Sequence, residues 1–465
     1  MKLHFLGANR QVTGSRYCLE TAHSRVMIDC GLFQERQFKT RNWRKCPIPP
    51  ESINALVLTH AHIDHCGLIP RLVGEGLNAP LFMTAPTADL VEIMLRDAAH
   101  IQSEDLAYKK KRHRKEGRKG PHPNEPLFDD SDVDQTLPMI QPESYNTAVK
   151  VTEDVTLTFH EAGHILGSAM LEFQVREGGK NCRIIFSGDI GQWDKPLIHD
   201  PAVFTSADYI VMESTYGDRD HKEGGDILEQ LEQVINSTVQ AGGRVVIPTF
   251  AVERAQELMF FISQLVYEDR IPDIPVYLDS PMAVDVTQVF RRHRDRFDDE
   301  TWEAITQGAP PLNFPGLQIS RTTAQSKAIN AKDEPSIIMS TSGMCTAGRI
   351  KHHLRRNISC PESTILFVGY QAHGTLGRRI LDGHREVRIH GQNHEVKANI
   401  AQIFGFSGHA DRAALLHWLS HFEQPPKRLF LTHGDEEAAT SLATELRKNH
   451  QWRVLVPDYE SSVDL

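Results

Sequence analysis

The sequence predicts an α/β protein in which two β-rich segments share one core and carry a parallel-sheet block inserted between them. Three observations lead there. Strand-like apolar runs in the flanking segments repeatedly stop at a histidine, aspartate or glutamate. Between them, four successive stretches read as a strand followed by a helix. The composition, 40% hydrophobic and 24% charged over 465 residues, is that of a globular chain long enough for two domains.

Lys2–Leu6, Tyr17–Thr21 and Arg25–Asp29 read as short strands separated by turn residues. Ile53–Leu58 (INALVL) is an apolar run of strand length that stops at THAHIDHCG, where His60, His62, Asp64 and His65 offer four ligand-type side chains within six positions. A mixed imidazole and carboxylate set at the end of a rigid element suits zinc; a solvated histidine-rich turn is the competing reading. Pro86–Ala99 reads as a helix running on towards the basic stretch Tyr108–Lys119, and Gly120–Pro142, with its prolines and acidic residues, as a surface excursion. Val151–His160 returns to strand alternation, and His164 stands on a Gly-flanked turn between two strands. Arg183–Ser187 leads to Asp189, Asp208–Met212 to Glu213, and Arg428–Leu431 to His433. A strand that stops at a ligand-type side chain therefore occurs four times, along one edge of a two-sheet core.

The block between is different. Its four strand–helix units are Arg244–Leu265, Val276–Phe290, Ser336–Leu354 and Thr364–Leu381, and consecutive units of this kind imply a parallel sheet. The loops after these strands are rich in Gly, Ser, Thr and Arg, which suits phosphate as well as ordinary turns. The domain reading is residues 1–217 as host, 218–385 as insertion and 386–465 as the returning host, with a cleft between the insertion and the metal edge.

No apolar stretch is long enough to span a bilayer, and the N-terminus lacks the apolar core of a signal peptide. Seven scattered cysteines point to reduced thiols, so a cytoplasmic protein is expected. A net charge of −10 does not suggest a non-specific nucleic-acid coat; any polyanion partner needs a local basic patch. One metal can take His60, His62 and His164, and a second Asp64, His65 and His433, with Asp189 suited to bridge them. Two zinc ions about 3.5–4 Å apart hold a hydroxide between them and stabilise both oxygens of a phosphoryl displacement. Asp29, at another strand end, is expected to orient a ligand from behind, and Cys30 and Cys66 to be small buried thiols. His409 precedes the helical pattern RAALLHWL; with Glu213 accepting from its ring it would steady a charged phosphate or protonate a leaving oxygen, against the plainer reading of a capping-region histidine.

With these residues assembled, the sequence resembles the metallo-β-lactamase superfamily and, within it, the β-CASP nucleases. Asp29, the HxHxDH run His60–His65, His164 and Asp189 match the superfamily signature. Glu213, His409 and His433 match β-CASP motifs A, B and C, and PTFAVERAQEL, LDSPMA, SGMCTAGR and GYQAHGTLGR extend the likeness through the insertion. The resemblance implies an αββα sandwich with an inserted parallel-sheet β-CASP domain, two Zn2+ ions (with Mn2+ or Fe as alternatives), and hydrolysis of nucleic-acid phosphodiesters in which Asp64, Glu213 and His409 take part. A histidine at motif C, as at His433, marks RNA-directed members, so RNA is the expected substrate, entering single-stranded because the expected cleft is narrow, and cut internally or trimmed 5′-to-3′. By the same analogy Ser342, Gly343, Arg349, Thr375, Arg378 and His409 contact substrate, with Arg254 a weaker candidate, while His373 departs from the commonest pattern. The basic run Tyr108–Lys119 is then either an RNA-facing arm or a solvated helix face. The length is that expected of bacterial stand-alone members, no membrane partner is expected, and a homodimer is compatible with the sequence. A hydrolase of small substrates on the same scaffold and a non-catalytic RNA-binding scaffold are the rival readings.

Overall fold

Alternation along each strand sends successive side chains to opposite faces, and that period assigns the layers here. The computed structural model describes residues 1–116, 125–222 and 225–465, apart from the side chains of residues 108 and 111–116. The chain forms two units, Met1–Asp194 with Asp200–Asp220 and His409–Leu465, and Lys195–His199 with His221–Gly408.

The first unit holds two seven-stranded sheets. One runs in the order Ser461–Asp464, Lys2–Gly7, Arg16–Glu20, Arg25–Ile28, Ala55–Val57, Leu81–Thr84 and Ile140–Glu143. The other runs Val454–Leu455, Arg428–Thr432, Tyr209–Glu213, Lys180–Phe186, Ala169–Glu177, Val155–Glu161 and Ala148–Lys150. Leu3, Phe5, Leu19, Val26 and Ile28 from the first sheet meet Leu157, Phe159, Leu171, Phe173, Ile184, Phe186, Val211 and Phe430 from the second. The intervening residues Ile185, Ile210, Met212, Leu429 and Leu431 face outward and are covered by the helices Arg412–Ser420 and Glu436–Asn449. Those helices present Leu415, Trp418 and Leu419, and Ala439, Leu442, Ala443 and Leu446, at the three- and four-residue spacing of an apolar helix face. Helix Ala85–Glu116 leaves directly from Leu81–Thr84, packs against that strand and Ile140–Glu143, and buries Leu90, Val91, Leu95 and Ala99. The unit is thus an αββα sandwich.

Part of the expected surface excursion at Gly120–Pro142 is built into the fold. Helix Asp130–Thr136 opens on a reciprocal capping box between Asp129 and Asp132 and buries Val133; the acidic residues cap a helix. Ile140–Glu143 pairs parallel with Leu81–Thr84 as an edge strand. Tyr108–Lys119 continues helix Ala85–Glu116 as far as Glu116, with Lys109 and Lys110 exposed, but its other side chains and residues 117–119 lie outside the described residues, and with them the choice between arm and solvated face. Among the described residues no helix is long and apolar enough to cross a membrane, and all seven cysteines are free thiols.

The second unit is organised on a parallel sheet of six strands, in the order Leu317–Ile319, Val276–Leu278, Ser336–Ser340, Arg244–Pro248, Thr364–Phe367 and Asn399–Gln402. Helices Arg254–Tyr267, Pro281–Arg292, Ile350–Asn357 and Leu376–Leu381 follow four of these strands. This unit continues to Gly408, past the exit near Gly383–Arg385 expected from sequence. Asn399–Gln402 (NIAQ) is the reason: it adds the last parallel strand beside Thr364–Phe367, so the chain returns to the first unit only at His409.

Candidate metal centre

Four strand ends and two loops of the first unit bring their polar side chains to one place. His60, His62, His164 and Asp189 form one group of donor atoms, and Asp64, His65 and His433 a second. In the first, His62 Nδ1 lies 3.1 Å from both His60 Nε2 and His164 Nε2, and Asp189 Oδ2 lies 3.4 and 3.5 Å from those two nitrogens. In the second, His65 Nε2 is 3.1 Å from His433 Nε2, which is 3.6 Å from Asp64 Oδ2. Asp189 Oδ1 faces this second group, 3.3 Å from His65 Nε2 and 3.5 Å from His433 Nδ1. The two oxygens of Asp189 are therefore divided between the groups. Donors placed about 2.0–2.1 Å from a tetrahedral zinc lie about 3.3 Å from one another, which is the spacing found here.

A second observation fits a metal. Asp189 is almost wholly buried, yet its Oδ1 has no hydrogen-bond partner of acceptable geometry. An unpaired buried carboxylate oxygen is costly unless a cation meets it. Burial pushes His60 well towards the neutral imidazole that a metal requires and His62 down to about 4. Burial opposes charge on His65 too, but Asp189 and Asp29 outweigh it and raise its affinity for a proton; Asp189 does the same for His433. The pocket holds negative charge that a cation must balance.

Local packing fixes these side chains. Asp29 has φ 57° and His433 φ 46°, left-handed conformations that non-glycine residues adopt only where their surroundings impose them. Asp29 is outside both donor groups: its Oδ2 lies 2.8 Å from His65 Nδ1, and its Oδ1 accepts from the Thr59 backbone N–H at 2.9 Å. A Cβ on Gly31 would fall 1.6 Å from the carbonyl oxygen of Asp64, so the strand carrying Asp29 can lie against the ligand loop only as glycine. Cys30 and Cys66 are buried, and the Cys66 thiol donates to the Ala61 carbonyl.

Glu213 and His409 adjoin the centre. Glu213 Oε1 accepts the Ile190 backbone N–H at 2.5 Å, Oε2 accepts the Thr215 hydroxyl at 2.5 Å, and His409 Nδ1 lies 3.2 Å from Oε2. Burial would make His409 neutral, but the Glu213 charge and hydrogen bond hold its pKa up, at about 9. The backbone of His409 is pinned by Gln192, and that of Ala410 by Ile190, two residues of the loop after Asp189. Two hydroxyls escaped the reading of the sequence. Thr59 Oγ1 sits within 3.3 Å of His60 Nδ1, His65 Nδ1 and both Asp29 oxygens, and Thr215 Oγ1 joins Glu213 to His433. Their only signal was position, Thr59 directly before His60 and Thr215 two residues after Glu213.

Of the expected substrate-contact residues, His409 belongs to the first unit, whereas Ser342, Gly343, Arg349, Thr375, Arg378 and Arg254 lie in the second, in loops or helix starts beyond the carboxyl ends of parallel strands. Ser342 Oγ accepts from the Thr346 N–H, Thr375 caps helix Leu376–Leu381, and Arg378 pairs with Asp382 on that helix. Arg349 turns inward instead. Its guanidinium donates to Asp279 Oδ1 at 2.7 Å, to the Ser320 carbonyl at 3.1 Å and to the Arg321 carbonyl at 2.7 Å, which anchors it within the second unit. Arg254 donates to the Val368 carbonyl at 2.6 Å.

Comparison with known proteins matches three family models in order along the chain: the metallo-β-lactamase superfamily domain over residues 18–192, the Beta-Casp domain over 255–380, and the Zn-dependent metallo-hydrolase RNA specificity domain over 393–457. The chain is 36% identical over 442 residues to Ribonuclease TTHA0252 of Thermus thermophilus, covering 95% of each. It is 33% identical to the Transcription termination factor FttA of Methanosarcina mazei, covering 95% of this chain and 68% of that one, and 32% identical to FttA of Methanocaldococcus jannaschii, covering 98% and 70%. A crystal structure of a protein of unknown function from Enterococcus faecalis shares the fold at a TM-score of 0.55 with 12% identity, covering 100% of this chain and 99% of that one.

Proposed function

The chain belongs to the β-CASP ribonucleases of the metallo-β-lactamase superfamily, and on that premise we propose that it hydrolyses phosphodiester bonds of single-stranded RNA with two zinc ions at the site described. The observation that carries this is the division of the Asp189 oxygens between two groups of imidazole donors. His60, His62, His164 and Asp189 would hold one ion; Asp64, His65, His433 and Asp189 the other. The same donor set also accepts Mn2+ or Fe. Such a pair, when bound, supplies an acidified water and positive charge beside the phosphate. The chain's own part follows from its hydrogen bonds. Asp29 and Thr59 hold the His65 ring so that Nε2 faces the centre. Glu213 orients His409 and keeps it cationic, which suits it to steady a phosphate oxygen or to give a proton to the departing one.

The experiment is digestion of end-labelled RNAs bearing 5′-triphosphate or 5′-monophosphate ends, beside a circular RNA. Asp189→Ala should abolish cleavage and reduce bound metal measured by atomic emission; full activity with one ion would sink the assignment. His409→Ala should cut turnover by roughly a hundred-fold or more with both ions retained. Loss of metal from that variant would make His409 a ligand instead. Cleavage of the circle would establish internal cutting, and its resistance beside degraded linear RNA would establish trimming from an end.

A further inference from the structure

Among the described residues, six large apolar side chains stand exposed: Ile101, Val203, Phe250, Trp302, Ile319 and Tyr370. Single exposed apolar residues need no explanation. Three of these six, however, end or follow strands at the carboxyl edge of the second unit's parallel sheet, Ile319 on Leu317–Ile319, Phe250 after Arg244–Pro248 and Tyr370 after Thr364–Phe367. Phe250 is 42% exposed and Tyr370 60%. Their strands are neighbours, Val245 opposite Thr364 and Val246 opposite Ile365.

The two aromatic loops are fastened to each other and to a third. Arg254, just beyond Phe250, donates to the Val368 carbonyl at 2.6 Å, and its guanidinium lies against Gly369. Gln371, next to Tyr370, donates to the Gly343 carbonyl at 2.9 Å. Gly343 also backs the Phe250 ring: a Cβ there would stand 2.9 Å from two ring carbons and 3.2 Å from a third. One side of the ring therefore rests on bare backbone while much of the remainder faces solvent.

We propose that Phe250 and Tyr370 form a base-stacking platform for single-stranded RNA, an inference that rests on the ribonuclease reading. The surroundings favour a nucleic acid over a protein. A protein hot spot needs contiguous apolar surface that can be desolvated, whereas the loops that carry or back these rings also hold the half-buried Ser342 and the exposed Thr346 and His373, polar residues all. An unpaired base offers a flat π-face to a ring and sugar and phosphate oxygens to polar groups beside it. Stacking accepts any base, so the platform would set affinity and a demand for unpaired RNA without reading sequence.

The test uses the metal-loaded protein and RNA carrying 2-aminopurine or an abasic residue at successive positions. Phe250→Ala and Tyr370→Ala should each raise KM roughly ten- to a hundred-fold, the loss seen when a stacked base is freed, and change kcat far less. Phe250→Trp and Tyr370→Phe should keep most of the affinity. Gly343→Ala should partly mimic Phe250→Ala by lifting the ring, with circular dichroism confirming the fold. At one or two positions an abasic residue should weaken wild-type binding and cost the alanine variant nothing further; 2-aminopurine there should be quenched by wild type and not by the variant. Unchanged KM and fluorescence in the alanine variants would overturn the proposal and give this face to a protein partner. Equal losses on normal and abasic RNA at every position would overturn it as well. A wild-type protein that cleaves no RNA would overturn the ribonuclease reading itself, an outcome seen before any variant is made.

Discussion

Asp279 shows what one buried residue does for the second unit. Its side chain is fully buried, with Oδ1 accepting from Arg349 and Oδ2 from Ser326 at 2.5 Å and His353 Nε2 at 2.6 Å. Burial alone would push this carboxyl up, but hydrogen bonds from His353, Ser326 and Ser320 outweigh it and hold the pKa at about 2. The folded value lies below the ordinary one of about 3.9. The stabilisation is therefore fully present above about pH 4 and lost as pH falls from there through 2, and a drop of about two pH units corresponds to roughly 2–3 kcal/mol. Asp279→Asn should cost roughly 3–5 kcal/mol at neutral pH, the cost of breaking a buried pair from one side. Urea unfolding at a series of pH values should show the gap between wild type and variant narrowing by up to roughly 2–3 kcal/mol as the pH falls from about 4 through 2. A gap of constant size across that window would mean that the carboxylate is not stabilised by its partners. The same contacts fix Arg349, so its guanidinium shapes the loop ahead of helix Ile350–Asn357.

At the scale of elements, ligands converge because strands stop where glycines let neighbouring loops touch. A Cβ on Gly191 would fall 1.6 Å from the Gly163 carbonyl oxygen and 2.8 Å from the His164 nitrogen. Gly191→Ala must therefore force apart the loops that carry Asp189 and His164. We expect metal affinity to fall roughly ten- to a hundred-fold, as when support behind a ligand is lost, measured by competition with a chromophoric chelator. Gly74→Ala, whose Cβ would meet nothing closer than 3.5 Å, should leave affinity alone. The strands that stop at ligands were legible in the sequence because each is an apolar run ending abruptly in His, Asp or Glu. What was not legible lacked a local signal. Asn399–Gln402 has no apolar run and is a strand only because Thr364–Phe367 pairs with it. Asp279 and His353 stand 74 residues apart, and LDSPMA reads as an ordinary strand-to-helix turn. Arg349 lies in a Gly- and Thr-rich loop of the kind that meets phosphate; tertiary contacts turned it inward.

For the molecule as a whole, every residue of the two donor groups belongs to the first unit, and among the described residues the second contributes none. A ligand that binds only the folded state stabilises it by about 4 kcal/mol at a thousand times its dissociation constant. That stabilisation is felt by openings that break the site. Local opening is read segment by segment in amide hydrogen exchange. Removing metal with a chelator should therefore speed exchange in the loops after Ala55–Val57, Lys180–Phe186 and Arg428–Thr432, and in the turn holding His164. Asp64, Asp189 and Glu213 would then share one pocket with only protonated imidazoles to balance them. Strands Val276–Leu278 and Ser336–Ser340 should exchange as before, since no bond to the donor groups is broken there. A matching acceleration in those strands would show that the two units open together and that metal stabilises the entire chain; no change in either would mean that the donor cluster holds its shape without a cation.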